Sequence, residues 1–342
     1  MRKSIAIIIT SILVLSGCNK QQSVSDRLLN EVEKAIAINP DSASNLLKGI
    51  SSPEKLDNKT FARWCMLSGK ITDEIFNSIL PTYQLERAYD WYSSHGSPDE
   101  QVQILIYLGR SYFADGDYDK AMSIYTNALD IAEKNKLNNL TGYTYSYIGD
   151  LYGEKFMRTE AIKRYKAAAE CFKKENNTDS YACALRDVGR EYACIDSLSR
   201  ALKILTIADS VARNTKNIEV TASIDNALGN IYAMQNKYDK AEEYFLKALV
   251  GRETMPDYMA LIDLYIASGA INKAQELLSK ILQDNPKYTY SIKYLYYQIY
   301  NEEKNYKEAL TNLKEYVEIT DSIIYADNQS KILNICLLYT SP

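Results

Sequence analysis

Four polar side chains recur where one helical face can hold a ligand. Arg186 and Arg190 stand four residues apart, and Asn226 and Asn230 repeat those positions forty residues later. Residues four apart share a helix face, so the pattern presents two guanidinium forks and two carboxamides. A guanidinium can take a carboxylate through paired hydrogen bonds, and a carboxamide offers a donor and an acceptor to a peptide backbone. The same register permits a second reading, because Arg110, Asp150 and Arg190 alternate in sign along it and can pair with one another as a structural ladder. Candidates for catalysis are thin. His95 is the single histidine, set in the turn-like stretch Ser93 to Ser97, and there is neither a zinc-binding spacing nor a phosphate-cradling glycine loop. Carboxylates such as Glu242 and Glu243 read as helix-surface charges. The expectation is therefore a binding protein without metal or cofactor rather than an enzyme.

The cysteines leave alternatives open. Cys183 and Cys194 are eleven residues apart on one expected helix, about 16 Å along its axis, too far to bridge. Cys171 can meet Cys183 across a turn in an oxidising compartment; otherwise Cys65, Cys171, Cys183 and Cys194 are small buried thiols.

The elements that carry these side chains are set by a register. Glycine falls at Gly109, Gly149, Gly189 and Gly229, each followed three residues on by tyrosine: Tyr112, Tyr152, Tyr192 and Tyr232. Twelve residues after each glycine comes an alanine (Ala121, Ala161, Ala201, Ala241) and seven later a second (Ala128, Ala168, Ala208, Ala248), with Tyr125, Tyr165, Leu205 or Phe245 between. A pattern recurring at a fixed forty-residue step marks a repeat array. Units of that kind contact only their neighbours, so 342 residues set a repeat number rather than a domain count. The chain is 46% hydrophobic and 25% charged with only 13 Gly and 7 Pro, which suits helices. A net charge of −4 gives no reason to expect nucleic acid in this segment. The 29 tyrosines suit helices buried on one side and wet at the edge.

Leu108-Gly109, Tyr112, Ala121, Tyr125 and Ala128 resemble the tetratricopeptide signature, as do Leu228-Gly229, Tyr232, Ala241, Phe245 and Ala248, and Pro286 matches its terminal proline. The resemblance covers roughly Thr60 to Thr320. It implies an all-α, right-handed solenoid of antiparallel helix hairpins, about seven of them, with ligand contacts three residues before the glycine and one after it. Those positions hold Ile106 and Arg110, Ser146 and Asp150, Arg186 and Arg190, Asn226 and Asn230, and later Met259 with Asp263 and Tyr294 with Gln298. The signature repeat is 34 residues. The six extra residues fall between the second alanine and the next glycine, where the polar stretches Lys134 to Thr141 and Lys173 to Ser180 fit the turn. Divergent units flank the regular ones: a first hairpin from Asp26, broken at Pro40 with Asp41 as the next N-cap, and a second with Gly69, Pro81 and Ala88 on the register.

The ends read differently. Residues 1–17 form a signal peptide, with Arg2 and Lys3 before the apolar run Ile5 to Leu15. Leu15-Ser16-Gly17-Cys18 resembles the lipobox of bacterial lipoproteins, which implies acylation at Cys18 and a membrane anchor. Residues 18–25 form a polar tether, the array occupies 26–325, and 326–342 end as a truncated helix whose Cys336-to-Pro342 tail resembles translated adapter sequence. The leading expectation is a lipid-anchored envelope scaffold, facing the periplasm or the cell surface, that binds a peptide or protein partner through Arg186, Arg190, Asn226 and Asn230. Two alternatives stay open. One is the sensor part of a longer regulator; the other is a glycan-capturing lipoprotein using Tyr290, Tyr294 and Tyr297, three rings that packing between the last units would equally explain.

Overall fold

The computed structural model describes residues 24–75, 79–284 and 289–340. The expected signal peptide and Cys18 lie outside them. Sixteen α-helices and one short 3-10 turn make up the described residues. The first helix, α1, spans 24–36 and so already includes Val24 and Ser25. It is followed by α2 (Pro40–Leu47), α3 (Asn58–Ile75) and α4 (Thr82–His95). The regular section comprises α5 (Pro98–Ala114), α6 (Tyr118–Lys134), α7 (Asn138–Glu154), α8 (Arg158–Lys174), α9 (Thr178–Cys194), α10 (Leu198–Ala212), α11 (Ile218–Met234) and α12 (Tyr238–Gly251). Then come α13 (Met255–Ala267), α14 (Ile271–Asp284), α15 (Thr289–Glu302) and α16 (Tyr306–Thr340), which stays helical past Ala326 and through Cys336. Two helices per hairpin give eight hairpins among the described residues, in keeping with the array of about seven that the sequence predicts. The chain divides into two compact units, residues 1–191 and 192–342.

The forty-residue repeat resolves into a beat of twenty. Left-handed backbone recurs at Gly116, Lys136, Phe156, Asn176, Asp196, Lys216 and Asn236. At six of these sites (all but Lys216) the same two hydrogen bonds close the helix. Asp117 N donates to Tyr112 O at 2.9 Å and Gly116 N to Phe113 O at 3.0 Å; Met157 N to Tyr152 O and Phe156 N to Gly153 O follow at 2.8 and 2.9 Å. This is the Schellman arrangement, which satisfies orphan carbonyls of the last turn. The signature tyrosine thus sits where its own carbonyl closes the cap. Three linking residues suffice, so Lys134 to Thr141 is not a long turn: α6 runs to Lys134 and α7 starts at Asn138. The extra six residues are helical. Each seventeen-residue helix spans about 25 Å.

The glycines earn their place by contact. A Cβ on Gly149 would lie 2.7 Å from the Tyr165 ring, and one on Gly229 2.6 Å from the Phe245 ring. Gly109 faces Tyr125 in the same way. The ring sixteen residues on therefore nests against bare backbone, and the ~1 kcal/mol helix penalty of glycine is offset by that close approach. Gly69 differs: its space is filled by Tyr107 of α5 rather than by its own hairpin. At the first hairpin, Asn39 rather than Asp41 is the N-cap, accepting from Ser42 N at 2.9 Å, because Pro40 fits the first helical position where no N–H is needed.

Candidate functional site

In unit 1 the first helices of successive hairpins, α3, α5, α7 and α9, bring together the positions that the resemblance marks for ligand contact. Arg110 on α5 does not pair with Asp150. Its Nη1 donates to Asp73 on α3, and Tyr107 Oη donates to the same carboxylate at 3.0 Å. The guanidinium also lies over the Tyr147 ring, 5.4 Å from its centroid. Around this pair opens a cavity of about 480 Å³. Its walls include Ile106 and Tyr107 of α5 and Leu140, Tyr143 and Tyr147 of α7. The Tyr147 ring is itself propped by Tyr125, stacked at 5.7 Å and 13°.

One turn further along α7 the chemistry changes. Asp150, Gly153 and Glu154 border a second cavity of about 280 Å³, with the Phe113 and Phe156 rings beside it. Arg158, Asp187, Arg190 and Glu191 complete its charged wall. Arg158 is taken up by Glu191, at 3.2 and 3.3 Å to the two oxygens, and Gly153 leaves the room for that carboxylate. Asp150 accepts from Tyr165 Oη at 2.6 Å. Protein packed around Asp150 strips water from it, and Asp187 adds a second negative charge, so its carboxyl is pushed up to about 6 despite the opposing Arg186 and Arg190. Asp150 keeps an edge open to solvent on the cavity side.

The four residues singled out by spacing are each placed, two in each unit. Arg186 grips Asp187, Nε to Oδ1 at 2.9 Å and Nη2 to Oδ2 at 3.1 Å, and Arg190 approaches that same carboxylate at 3.8 Å with 65% of its side chain exposed. In unit 2, Asn226 donates to Asp257 at 2.9 Å, and Asn230 donates to the Asn226 carbonyl and carboxamide oxygens at 3.0 Å. Asp257 is 1% exposed and also takes Arg252, so Asn226 helps to satisfy a buried carboxylate. The arginine pair closes on its own helix through Asp187, whereas the asparagine pair reaches α13 through Asp257. The ladder expected between Arg110, Asp150 and Arg190 takes other partners at every rung, although the field of Arg190 still reaches Asp150.

Other candidates fall into place similarly. No disulfide joins Cys65, Cys171, Cys183 or Cys194. Cys65 is buried as expected, whereas Cys171 and Cys183 are half-buried and Cys194 is exposed at the end of α9. Tyr294 is 38% exposed, with Tyr297 at 5.8 Å and Tyr316 of α16 at 5.3 Å, so packing covers part of the platform a sugar would need. The tyrosine cavity and the carboxylate cavity were not singled out by sequence spacing as sites. A signal existed: Leu140, Tyr143, Tyr147, Asp150 and Glu154 follow helix spacing on one side of α7.

The tetratricopeptide-repeat family matches residues 100–174, and again residues 221–255. These segments are tetratricopeptide repeats. The fold agrees with that of a Rap protein crystallised with Competence and Sporulation Factor, at a TM-score of 0.68 and 18% identity, over 89% of this chain and 88% of that one. It is also similar to aspartyl phosphate phosphatase F from Bacillus subtilis, with a TM-score of 0.58 and 15% identity over 81% and 75% of the two chains. A tetratricopeptide repeat protein from Parabacteroides merdae ATCC 43184 gives 0.54 and 17%, over 75% and 93%. No curated protein matches the chain. All three likenesses establish an all-α fold of stacked helix hairpins.

Proposed function

We propose that the first-helix face of unit 1 binds a segment of a peptide or protein partner, and that the chain is a scaffold rather than an enzyme. The observation that carries this reading is the 480 Å³ cavity to which three successive first helices contribute, with tyrosine walls and a guanidinium fixed in place by Asp73. Pockets of that size with apolar walls and a few oriented polar groups suit a ligand side chain. Among the fold's neighbours, a Rap protein is described in complex with Competence and Sporulation Factor, a precedent for this architecture holding a partner. The sequence Leu15-Ser16-Gly17-Cys18 supports an acyl anchor at Cys18 and a place in the cell envelope facing the periplasm.

A random-peptide library selected on the immobilised chain tests the face. Enriched peptides should lose binding to Tyr143→Ala and to Arg110→Ala while helicity by circular dichroism is unchanged. Enriched peptides indifferent to both substitutions, or no enrichment over a blank surface, remove the reading. Cys18→Ser should move the protein from the membrane to the soluble fraction of its host; retention in the membrane would exclude the acyl anchor.

A further inference from the structure

The carboxylate cavity beside α7 has an unbalanced inventory. Of its four carboxylates, Glu191 is matched by Arg158 and Asp187 by Arg186. Asp150 and Glu154 form no ion pair among the described residues; each receives a phenol, Tyr165 at 2.6 Å and Tyr118 at 3.5 Å. Arg190 borders the same space but is 65% exposed and 3.8 Å from its nearest carboxylate. Two aromatic rings stand at this cavity. Phe113 is half-buried, held edge-on to Tyr118 at 5.4 Å. Phe156 is 79% exposed at a left-handed turn position, φ 59°, where a bulky residue is unusual, and the Arg158 guanidinium already lies 5.0 Å from its ring centroid, so the ring stands where cations gather. Carboxylates beside aromatic faces suit a cation on an alkyl stem, which gains from both the charge and the ring quadrupole.

The tyrosine cavity supplies the second half of the argument. Both cavities share the same side of α7: Leu140, Tyr143 and Tyr147 border one, and Asp150, Gly153 and Glu154 the other. The two sets are centred about nine residues apart, roughly 14 Å along the helix. An extended peptide advances about 3.3 Å per residue, so it would cover that span in about four residues. Resting on the peptide-binding reading above, we propose that α7 is a two-point reader of an extended peptide: an apolar side chain enters the tyrosine cavity, and a lysine or arginine about four residues away enters the carboxylate cavity. Burial and the charge of Asp187 raise the proton affinity of Asp150 against the pull of Arg186 and Arg190, so a further cation at this cavity is favoured.

The test uses the full chain and four acetylated, amidated pentapeptides, read by saturation-transfer NMR and titration. The first has leucine first and lysine fifth with glycine and serine between; the second replaces lysine by glutamine, the third leucine by glycine, and the fourth places lysine second. The first should bind at least fivefold tighter than each of the others. Asp150→Asn should erase the lysine preference while leaving leucine dependence intact, with circular dichroism confirming the fold. If lysine and glutamine peptides bind alike and both compete with library-selected peptides, the cation subsite is wrong and the peptide face stands. Equal binding of the peptides with lysine second and fifth overturns the spacing. If no pentapeptide binds while library-selected peptides do, the two-point reader falls alone, and if neither binds, both readings fall.

Discussion

Gly149→Ala separates packing from helix propensity by sign. On propensity alone, alanine in place of a helical glycine stabilises by about 1 kcal/mol. The structure predicts the opposite. The new Cβ would lie 2.7 Å from Tyr165 Cε1 and 2.9 Å from two further ring atoms, whereas carbon atoms settle at about 3.5–4.0 Å. The ring has to retreat by close to 1 Å, yet it is 5% exposed and tied to Asp150 through its hydroxyl. Overpacking of this kind costs about 1–3 kcal/mol, so after the propensity gain the variant should lose up to about 2 kcal/mol in urea unfolding followed by circular dichroism. The partner test uses Tyr165→Leu, a residue the register already accepts at Leu205. In that background Gly149→Ala should be neutral or stabilising, which gives a coupling energy of at least about 1 kcal/mol. A stabilised Gly149→Ala single variant, or identical effects in both backgrounds, would refute the ring-nesting argument.

Phe156→Gly relieves a left-handed residue without touching the core, so it should stabilise by about 1 kcal/mol in a thermal melt and at the same time weaken the lysine pentapeptide; unchanged affinity would exclude the ring from the cation subsite. Cys194 should react with a thiol reagent in the native protein, while Cys65, whose thiol burial pushes up, should react only on unfolding; early labelling of Cys65 would contradict its packing. Affinity for the lysine pentapeptide should rise between pH 5 and 7 as Asp150, which faces Tyr165 on α8 and Arg186, Asp187 and Arg190 on α9, loses its proton near 6; a flat profile counts against its role. Asp225 is 3% exposed and is also pushed to about 6, by desolvation and Asp209 against Arg213. A carboxyl with a raised folded-state value gives stability at low pH that is lost as pH rises from about 4 to 6, so the parent should lose up to about 3 kcal/mol relative to Asp225→Asn over that window. A pH-independent difference in urea midpoint would overturn that assignment.

The hairpin order, the ring-to-glycine nesting and the fold class were legible because periodic backbone demands write themselves into residue type. A small residue at a crossing, a tyrosine three later and alanines at the facing helix are each required by local geometry, so they recur. The twenty-residue beat was harder to see. Its marker is a left-handed backbone conformation accepted by Lys136, Phe156, Asn176 and Asp196 alike, so no single residue type announces it. The N-cap at Asn39 was misplaced by two residues because Pro40 reads as a stop when it is in fact a start. Spacing also cannot say whether a polar side chain is free. Arg186 and Asn226 have the types and positions of ligand contacts, but adjacent acids, Asp187 on the same helix and Asp257 two helices on, hold both.

That contrast locates where recognition can evolve in such an array. Gly142 and Gly149 of α7 are spent on Phe172 and Tyr165 of α8, and substitution there collides with a ring. The same two rings also touch the side chains beside those glycines: Phe172 lies edge-on to Tyr143 at 4.9 Å and Tyr165 donates to Asp150 at 2.6 Å, so a change of type at Tyr143 or Asp150 is felt at the glycine contacts as well. Charge at these positions is then set by neighbours from other hairpins, as Asp73 does for Arg110 and Asp187 for Asp150. The register therefore fixes the glycine positions of α7 and, through the same two rings of α8, also steadies Tyr143 and Asp150, so the change from tyrosine to carboxylate within one turn of α7 is held in place by the repeat packing.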